Sequence, residues 1–353
     1  MYNELYLENS MNRIFTDCIQ SGFWNEKEGR IIESLYHDEN WVWEYRYDDK
    51  YKYRYGLFTL SMILLAKDVF DLDTKKYDDK IIRNLKWIKG KESEFSISDY
   101  TYGGLLCLIL GYKHYNLFKN EKTTLIKKFN KILSTVINDF DNQHYLILIS
   151  AKYHLDLFND PKALTLSNQL TDKILDIQSN NGFFISGDLR AYHHQRTMYT
   201  LWGLTFSSWH YRKDDIKKAI LLTINWIWKN RRGKIDNGFV WHPSFYWVDS
   251  KYRIKIPIYL PKSSKYLFEC HQTFFANAIN LYNLRYNDKK FLSEKNDALS
   301  WIFGKNRINK NLIDNTSIDI PSRIMHVDGS LQIKNEQFKG SYEIGSFILS
   351  MIA

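Results

Sequence analysis

One pattern that recurs six times along the chain limits its fold more than any other feature. In each repeat, a short cluster of polar and aromatic residues leads directly into an apolar helix. The clusters begin at Tyr51, Asp99, Asn142, Tyr192, Phe268 and Ser341. Residues 103–112 (GGLLCLILGY) are apolar almost all round, which a helix tolerates only when neighbours cover most of its sides. The pattern therefore predicts six inner helices.

Segments between these helices have one apolar stripe. In residues 215–228, Ile216, Ile220 and Ile224 recur at helical spacing, which is typical of an outer helix that covers a core. The inner helices start about 45 to 75 residues apart, within or beyond the range of helical repeats. Six hairpins of one inner and one outer helix can close into a ring. We call the end of this ring where the inner helices begin the mouth.

The sequence thus predicts an all-α (α/α)6 toroid of six helical hairpins with two long loop insertions. Residues 2–21 are expected to form an outer helix that closes the ring, and a long loop is expected up to about residue 49. The insertions cover about residues 231–265 and 305–339 and are rich in Gly, Trp, His and β-branched residues. We expect them to carry short strands or loops over the mouth, where binding residues usually lie.

Composition favours a single domain over residues 1–353. The chain has five prolines and no Gly/Ser linker, so nothing marks a domain boundary. No apolar run approaches the roughly 18 residues of a membrane span. The first residues include acids and lack an apolar signal core, which predicts a cytoplasmic protein in the chain as given.

Charge and aromatic content bear on the partner. The formal charge of +9 is spread over 49 Lys and Arg residues, and no nucleic-acid-binding module accompanies it. The charge therefore favours an anionic polysaccharide over nucleic acid. Aromatic residues make up 16% of the chain, and many lie in predicted loops such as residues 239–247. Such rings suit sugar faces, isoprenoid chains or the sealing of loops against helix ends.

The densest group of ionisable residues precedes the fourth inner helix. It contains Asp188, Arg190, Tyr192, His193, His194 and Arg196. Arginine can bind a carboxylate through two hydrogen bonds, and histidine can move a proton near neutral pH. On a helix, His193 and Arg196 share a face while His194 turns away. The alternative is a capped helix start with surface histidines.

Two more inner-helix starts offer acid/base groups. Glu269 and His271 open the fifth helix, and a carboxylate near a histidine can orient it or share proton transfer. The alternative is a first turn whose acid suits the helix dipole. Glu343 enters the apolar sixth helix, where a carboxylate facing the ring centre would be desolvated. The predicted catalytic residues are Asp188, Tyr192, His193, Arg196, Glu269, His271 and Glu343.

Other polar and aromatic residues at the cluster starts and in the loops are expected to bind substrate. They are Trp43, Glu44, Arg46, Asp99, Tyr100, His144, Arg190, Trp241, His242 and Trp247. Asp99 also fits an ordinary helix N-cap. The chain has no phosphate-binding loop, dinucleotide fingerprint, zinc-binding His-Glu-x-x-His or nucleophile elbow. The sequence therefore predicts no metal and no cofactor.

The predicted ring resembles the (α/α)6 toroid of glycoside hydrolases, polysaccharide lyases and sugar epimerases. Its resemblance to the α-toroid of triterpene cyclases is weaker. Residues 178–184 (QSNNGFF) look like the Gln-x-x-x-Gly-x-Trp signature of those cyclases, with Phe in place of Trp. The signature occurs once, and the cyclases' Asp-x-Asp-Asp acid motif is missing.

The carbohydrate resemblance implies an enzyme that cleaves glycosidic bonds in an anionic poly- or oligosaccharide by acid/base catalysis at the mouth. Hydrolysis needs two carboxylates. A lyase needs a cation to neutralise the sugar carboxylate, with Tyr or His moving protons. Two alternatives remain: an isoprenoid cyclase with a carboxylic-acid proton donor in an aromatic cavity, and a non-catalytic glycan-binding toroid.

Overall fold

The fold comes from a computed structural model of the chain. It describes residues 23–37, 43–45, 53–138, 142–186, 191–192, 194–231, 238–239, 247–249, 254–256, 266–306, 309, 311, 324–326 and 338–351. The structure describes only the backbone of residues 34–37, 43–45, 142–143, 186, 191–192, 230–231, 247–249, 254–256, 266–270, 324–326, 338–340 and 351.

Six inner helices surround the core. They are α1 (Arg54–Phe70), α3 (Leu105–Tyr115), α5 (Ile147–Phe158), α7 (His194–Thr205), α9 (Glu269–Tyr286) and α11 (Ser341–Met351). Residues 56–66 of α1 are all buried, as expected for a helix that is covered on every side. Four of these helices are followed by a residue with left-handed backbone: Asp71, Asn116, Asn159 or Asn287. Asp and Asn adopt this conformation more readily than most residues.

Five outer helices alternate with the inner ones in the described residues. They are α2 (Asp78–Lys91), α4 (Lys122–Asn138), α6 (Pro161–Asp176), α8 (Lys213–Arg231) and α10 (Leu292–Ile302). On α2, Ile81, Leu85 and Ile88 are buried, so one face packs inward. Asp160 caps α6 through the backbone N–H groups of Lys162 and Ala163, and Pro161 takes its first position, where a missing N–H costs nothing.

The inner helices form a closed ring. Each packs against the next along the chain, and α11 returns to pack against α1. At this seam the Thr59 hydroxyl donates to the backbone oxygen of Ser341. Gly345 allows the two helices to approach closely, because a Cβ there would lie 2.9 Å from Cα of Thr59. The protein is therefore an all-α (α/α)6 toroid, as the sequence predicts.

Short antiparallel strands surround the mouth. One sheet contains β3 (Ser34–His37), β4 (Trp43–Tyr45) and β11 (Phe338–Gly340). A second contains β5 (Ile185–Ser186), β6 (Ala191–Tyr192), β7 (Trp247–Asp249) and β8 (Ile254–Ile256). Two pairs complete the set: β1 (Trp24–Asn25) with β2 (Arg30–Ile31), and β9 (Tyr266–Phe268) with β10 (Ile324–His326). Strands β9 and β11 lead straight into α9 and α11, so they lie at the mouth.

A buried ion pair joins the first strands to the ring. Nη1 of Arg30 lies 2.7 Å from Oε1 of Glu33, and both residues are buried. The Glu33 backbone oxygen accepts hydrogen bonds from the backbone N–H and hydroxyl of Ser341. The carboxylates of Glu33 and Glu28 hold the pKa of Arg30 above its usual range against the opposing effect of burial, the largest single influence. The segment before α1 is thus anchored to the start of α11.

The inner helices begin at or soon after the six predicted clusters. The second is interrupted by a π-helical turn at Tyr100–Gly104, and the fourth ends at Thr205. The expected loop before residue 49 contains strands β1–β4, whereas both insertions contain the expected short strands. The outer helix expected at residues 2–21 lies outside the described residues. Among the helices that are described, none has the length and apolar character to cross a membrane.

Candidate active site at the mouth

A layer of aromatic rings fills the centre of the ring just inside the mouth. Tyr342 lies at its middle, with ring centroids 4.5 Å from Phe58, 5.1 Å from Tyr55 and 5.6 Å from Phe274. Tyr199 joins the same layer 5.6 Å from Phe274. Tyr342, Phe58, Phe274 and Tyr199 are buried. These residues come from α1, α7, α9 and α11, so the layer forms a floor beneath the mouth.

One glutamine connects two phenols of this floor. Nε2 of Gln195, in the first turn of α7, lies 2.7 Å from the hydroxyl of Tyr199 and 2.8 Å from that of Tyr342. The amide N–H groups donate and the phenol oxygens accept, which leaves each phenol its own proton to donate. No acceptor for either proton lies within the part of the chain that is described. Gln195, Tyr199 and Tyr342 are called the phenol clip below.

The phenols of the clip are suited to staying protonated. Burial raises the pKa of Tyr342 well above its usual value, and the neighbouring Tyr102, Tyr55 and Glu343 raise it further. The hydrogen bond from Gln195 opposes this rise only in part. Tyr342 is therefore a neutral hydrogen-bond donor throughout the neutral pH range.

Two buried histidines lie at neighbouring helix starts. His194 is the first residue of α7 and His271 lies in the first turn of α9, with their ring centroids 4.8 Å apart. Nε2 of His194 is 3.3 Å from the backbone oxygen of His271, and its ring stacks on Phe239. His194 therefore packs directly on the predicted site residue His271.

His144 reaches a neighbouring inner element on the other side of the ring. It lies in a short 3-10 turn before α5 and is buried. Its Nδ1 is 2.8 Å from the hydroxyl of Thr101, in the π-helical turn before α3. The starts of the second and third inner helices are thus joined by a titratable side chain.

Cations and a carboxylate accompany these groups. The guanidinium of Arg54, the first residue of α1, lies 4.3 Å from the ring centroid of Tyr102, which in turn contacts Tyr199. Arg196 is half-buried in the first turn of α7. Glu343 is 1% exposed in the first turn of α11, directly after Tyr342. Arg54, Arg196 and Glu343 therefore lie in the first turns of inner helices, as Gln195 and Tyr342 of the phenol clip do.

Two predicted residues, Asp99 and Tyr100, and the neighbouring residue Gln272 have well-defined structural contacts. Asp99 is not the N-cap: Ser96 is, and Oδ2 of Asp99 accepts from the backbone N–H of Ser96 at 2.8 Å and from its hydroxyl at 2.6 Å. Tyr100 donates its hydroxyl to the backbone oxygen of Glu92, beside Lys128 of outer helix α4. Gln272 binds both backbone groups of Phe239, at 3.1 and 3.3 Å. These contacts fix helix starts and hold the 238–239 segment in place.

The remaining predicted site residues lie outside the described part of the chain, wholly or in their side chains. Wholly outside are Arg46, Asp188, Arg190, His193, Trp241 and His242; outside in their side chains are Trp43, Glu44, Tyr192, Trp247 and Glu269. Within the described ranges, no group of three His, Cys, Asp or Glu residues has the arrangement of a metal site.

The glutamine-glycine motif of residues 178–184 has a structural role. Nε2 of Gln178 donates to the backbone oxygens of Gly182 and Ala219 at 3.1 and 2.9 Å, and lies 3.0 Å from the hydroxyl of Thr223. Gly182 has a φ of +103°, and a Cβ there would lie 2.7 Å from the backbone oxygen of Leu222. The motif ties the loop after α6 to α8 on the outside of the ring, away from the phenol clip.

Gln195, Tyr199 and Arg54 are not among the site residues that the sequence predicts. Gln195 and Tyr342 both stand in the cluster starts that the repeat pattern identifies, and this position was the available signal. Their hydrogen bond joins residues 147 apart in sequence. Only the closure of the ring brings them together.

Comparisons with known proteins support the same architecture. No protein-family model matches the chain, and no curated protein matches its sequence. Among solved structures, an unsaturated glucuronyl hydrolase variant from Streptococcus agalactiae superposes with a TM-score of 0.62 at 12% identity, covering 100% of this chain and 91% of that one. A family 88 glycosyl hydrolase from Bacteroides vulgatus gives 0.61 at 10% identity, covering 99% and 98%.

A polysaccharide lyase has the same architecture. It superposes with a TM-score of 0.52 at 10% identity, covering 85% of this chain and 89% of that one. At such identities these similarities establish the fold. The chain therefore shares the (α/α)6 toroid of known carbohydrate-active enzymes over nearly its whole length.

Proposed function

We propose that the protein is an enzyme that cleaves glycosidic bonds in an anionic poly- or oligosaccharide by acid/base catalysis at the mouth of the toroid. The observation that carries the proposal is the phenol clip. Two buried phenols, held by Gln195, keep protons that no described residue accepts. A glycosidic oxygen becomes a good leaving group when it receives a proton or a strong hydrogen bond.

The groups around the clip supply the other requirements of the reaction. Arg54 and Arg196, with Arg190, would bind the carboxylate of an acidic sugar. His193 and Tyr192 would move protons, and Glu269 with His271 would form a second acid/base pair. His194 would fix the position of His271, since their rings are in contact. The hydroxyl of Tyr100 donates to the backbone oxygen of Glu92. Tyr102, which contacts Arg54 and Tyr199, would therefore bind substrate in its place.

Substrate binding beyond the reacting sugar would fall to the residues of the surrounding strands and loops. Trp43, Trp241 and Trp247 would stack on sugar rings. Glu44, Arg46, Asp188, His144 and His242 would contact sugar hydroxyls or acidic groups. Strands β4 and β7, which contain Trp43 and Trp247, belong to the sheets at the mouth.

Hydrolysis and elimination remain separate possibilities within this proposal. A hydrolase would use Glu343 with Asp188 or Glu269 as its two carboxylates, since the Asp99 carboxylate is bonded to Ser96. A lyase would use a phenol and a histidine to remove and return protons, with an arginine on the sugar carboxylate. The named structural relatives include both kinds of enzyme.

A panel of acidic polysaccharides and unsaturated uronyl oligosaccharides tests the proposal. A lyase raises both the ultraviolet absorbance of a new conjugated double bond and the number of reducing ends. A hydrolase raises the number of reducing ends without creating that double bond. If neither signal rises on any acidic substrate, the proposal is wrong.

Substitution of Gln195 tests the clip itself. Gln195→Leu keeps the side-chain size and removes both hydrogen bonds, so we expect kcat to fall about 10- to 100-fold with little change in KM. The matched control is Gln169→Leu on the exposed face of α6, which should keep full activity. Thermal unfolding of both variants separates lost catalysis from lost folding. A folded Gln195→Leu enzyme with normal kcat would remove the clip from the mechanism.

A further inference from the structure

A groove on the outer wall of the ring lies between α4 and α6. Its volume is about 490 Å³. Its lining is polar apart from one isoleucine and consists of Ile126, Lys127, Asn130, Lys131, Ser134, Thr135 and Lys162. None of these residues belongs to the candidate active site.

Three exposed lysines in this lining lack carboxylate partners. Lys127, Lys131 and Lys162 form no ion pair in the part of the chain that the structure describes. Other lysines of the outer wall do: Lys128 lies 2.7 Å from Glu92, and Lys89 contacts Glu92 and Glu121. The groove therefore brings together three lysines that no described carboxylate neutralises.

The position of these lysines brings like charges together. Lys127 and Lys131 are four residues apart on α4, so they share a face and repel each other. Helix α4 contains no Asp or Glu in its 17 residues. Nothing within this helix offsets the repulsion, and an anion in the groove would.

Asp160, an acid that contacts the lining residue Asn130, does not fill this role. Its Oδ2 accepts from Nδ2 of Asn130 at 2.7 Å and lies 3.0 Å from Nε2 of His154, while Oδ1 accepts from the backbone N–H of Lys162 at 3.0 Å. Both oxygens of Asp160 thus already have partners, in the cap of α6 and in the side chains of Asn130 and His154. One acid against three lysines leaves the groove positive.

The rest of the lining suits hydroxyl groups. The side-chain oxygen of Asn130, a residue that is 7% exposed, has no hydrogen-bond partner among the described residues. Ser134 and Thr135 add hydroxyls beside it. Ammonium groups with amide and hydroxyl groups complement a chain that alternates acidic groups with hydroxyls, and the lining holds no aromatic ring on which a nucleic-acid base would stack.

We propose that this groove binds an acidic polysaccharide, with Lys127, Lys131 and Lys162 on its acidic groups and Asn130 on a hydroxyl. The choice of a carbohydrate as the partner rests on the proposed function. The inference that the three lysines bind an anion does not depend on it. The groove holds a polymer against the outer wall while another part of the same polymer reaches the mouth. Binding here lowers KM for long chains and leaves short oligosaccharides unaffected.

The test is a triple variant, Lys127→Gln, Lys131→Gln and Lys162→Gln, with polygalacturonate and heparin as probes. We expect the Kd for at least one polymer to rise about tenfold or more, because three charge contacts are lost, and wild-type binding to weaken with added salt. The matched control removes the same charge from exposed lysines elsewhere: Lys218→Gln, Lys229→Gln and Lys289→Gln. This control should bind like the wild type.

Several results would overturn the proposal. They are absence of binding to either polymer, equal Kd values for the two triple variants, and tighter groove-dependent binding of a single-stranded oligonucleotide. Binding is measured without turnover, so the two proposals can fail separately. Groove-dependent binding with no cleavage of any substrate counts against the proposed function alone. Cleavage by an enzyme whose polymer affinity is insensitive to the groove lysines counts against the groove alone.

Discussion

His154 shows how a single buried residue ties three helices together. It lies on α5 and is 0% exposed; its ring stacks on Phe129 of α4, and its Nε2 is 3.0 Å from Oδ2 of Asp160, the cap of α6. Burial lowers the pKa of His154, although Asp160 opposes this effect. The folded protein therefore keeps a neutral histidine where the unfolded chain would take up a proton.

This histidine predicts a pH dependence of stability. In the unfolded chain it titrates near 6.5, so its contribution is complete above that pH and is lost as the pH falls through the lower folded pKa. We expect the free energy of unfolding to decrease from about pH 7 to pH 5, and to decrease less in His154→Gln. Urea unfolding at both pH values measures this. The exposed His210→Gln is the control, and identical pH slopes for wild type and His154→Gln would contradict the prediction.

Single site residues could be predicted from the sequence, but their partners could not. Glu343 and His271 were found because each stands in a polar cluster before an apolar run. The partnership of Gln195 with Tyr342 could not be found this way, since nothing local to either residue indicates the other. The contacts of His194 could not be found for a related reason, since Phe239 and His271, which hold its ring, come from other segments.

Among the elements, helices were more predictable than strands, which were expected only as short strands or loops in the two insertions. Helix α4 (Lys122–Asn138) has a clear sequence signal, because its apolar stripe is regular over 17 residues. Strand β3 has four residues and pairs with β11, so that Tyr36 lies opposite Phe338. Strands this short have little pattern of their own, and their ladder depends on ring closure. The π-helical turn at Tyr100–Gly104 likewise has no local signal.

The seam between α1 and α11 yields a prediction about stability. In Gly345→Val, the new side chain would meet Cα of Thr59 and the ring of Phe58, at 2.9 and 3.0 Å for Cβ alone. We expect the free energy of unfolding to fall by about 1–3 kcal/mol or more from overpacking, as measured by urea unfolding. Gly90→Ala on α2 is the matched control, since a Cβ there meets nothing within 4 Å. It should raise stability by up to about 1 kcal/mol. A Gly345→Val protein as stable as wild type would mean that the seam is loosely packed.

In the whole molecule, the mouth and the opposite end of the ring carry different groups. The mouth has the phenol clip, the histidine pair and the sheets. The opposite end has a cavity of about 510 Å³, whose lining includes Asp68, Tyr153, Trp209 and Arg285. There Arg285 donates to the backbone oxygens of Leu204 and Thr205 at 2.6 and 2.7 Å and so caps α7. Arg285 thus stabilises a helix end there, and Asp68 pairs with Lys113 and His114.

The most direct measurement is a crystal structure of the protein with an acidic oligosaccharide bound. We expect a sugar ring at the mouth, with a glycosidic or hydroxyl oxygen within hydrogen-bonding distance of the Tyr199 or Tyr342 hydroxyl. We expect the sugar carboxylate to lie against Arg54, Arg190 or Arg196. An oligosaccharide bound in the cavity at the opposite end, with the phenol clip uncontacted, would contradict the proposed function.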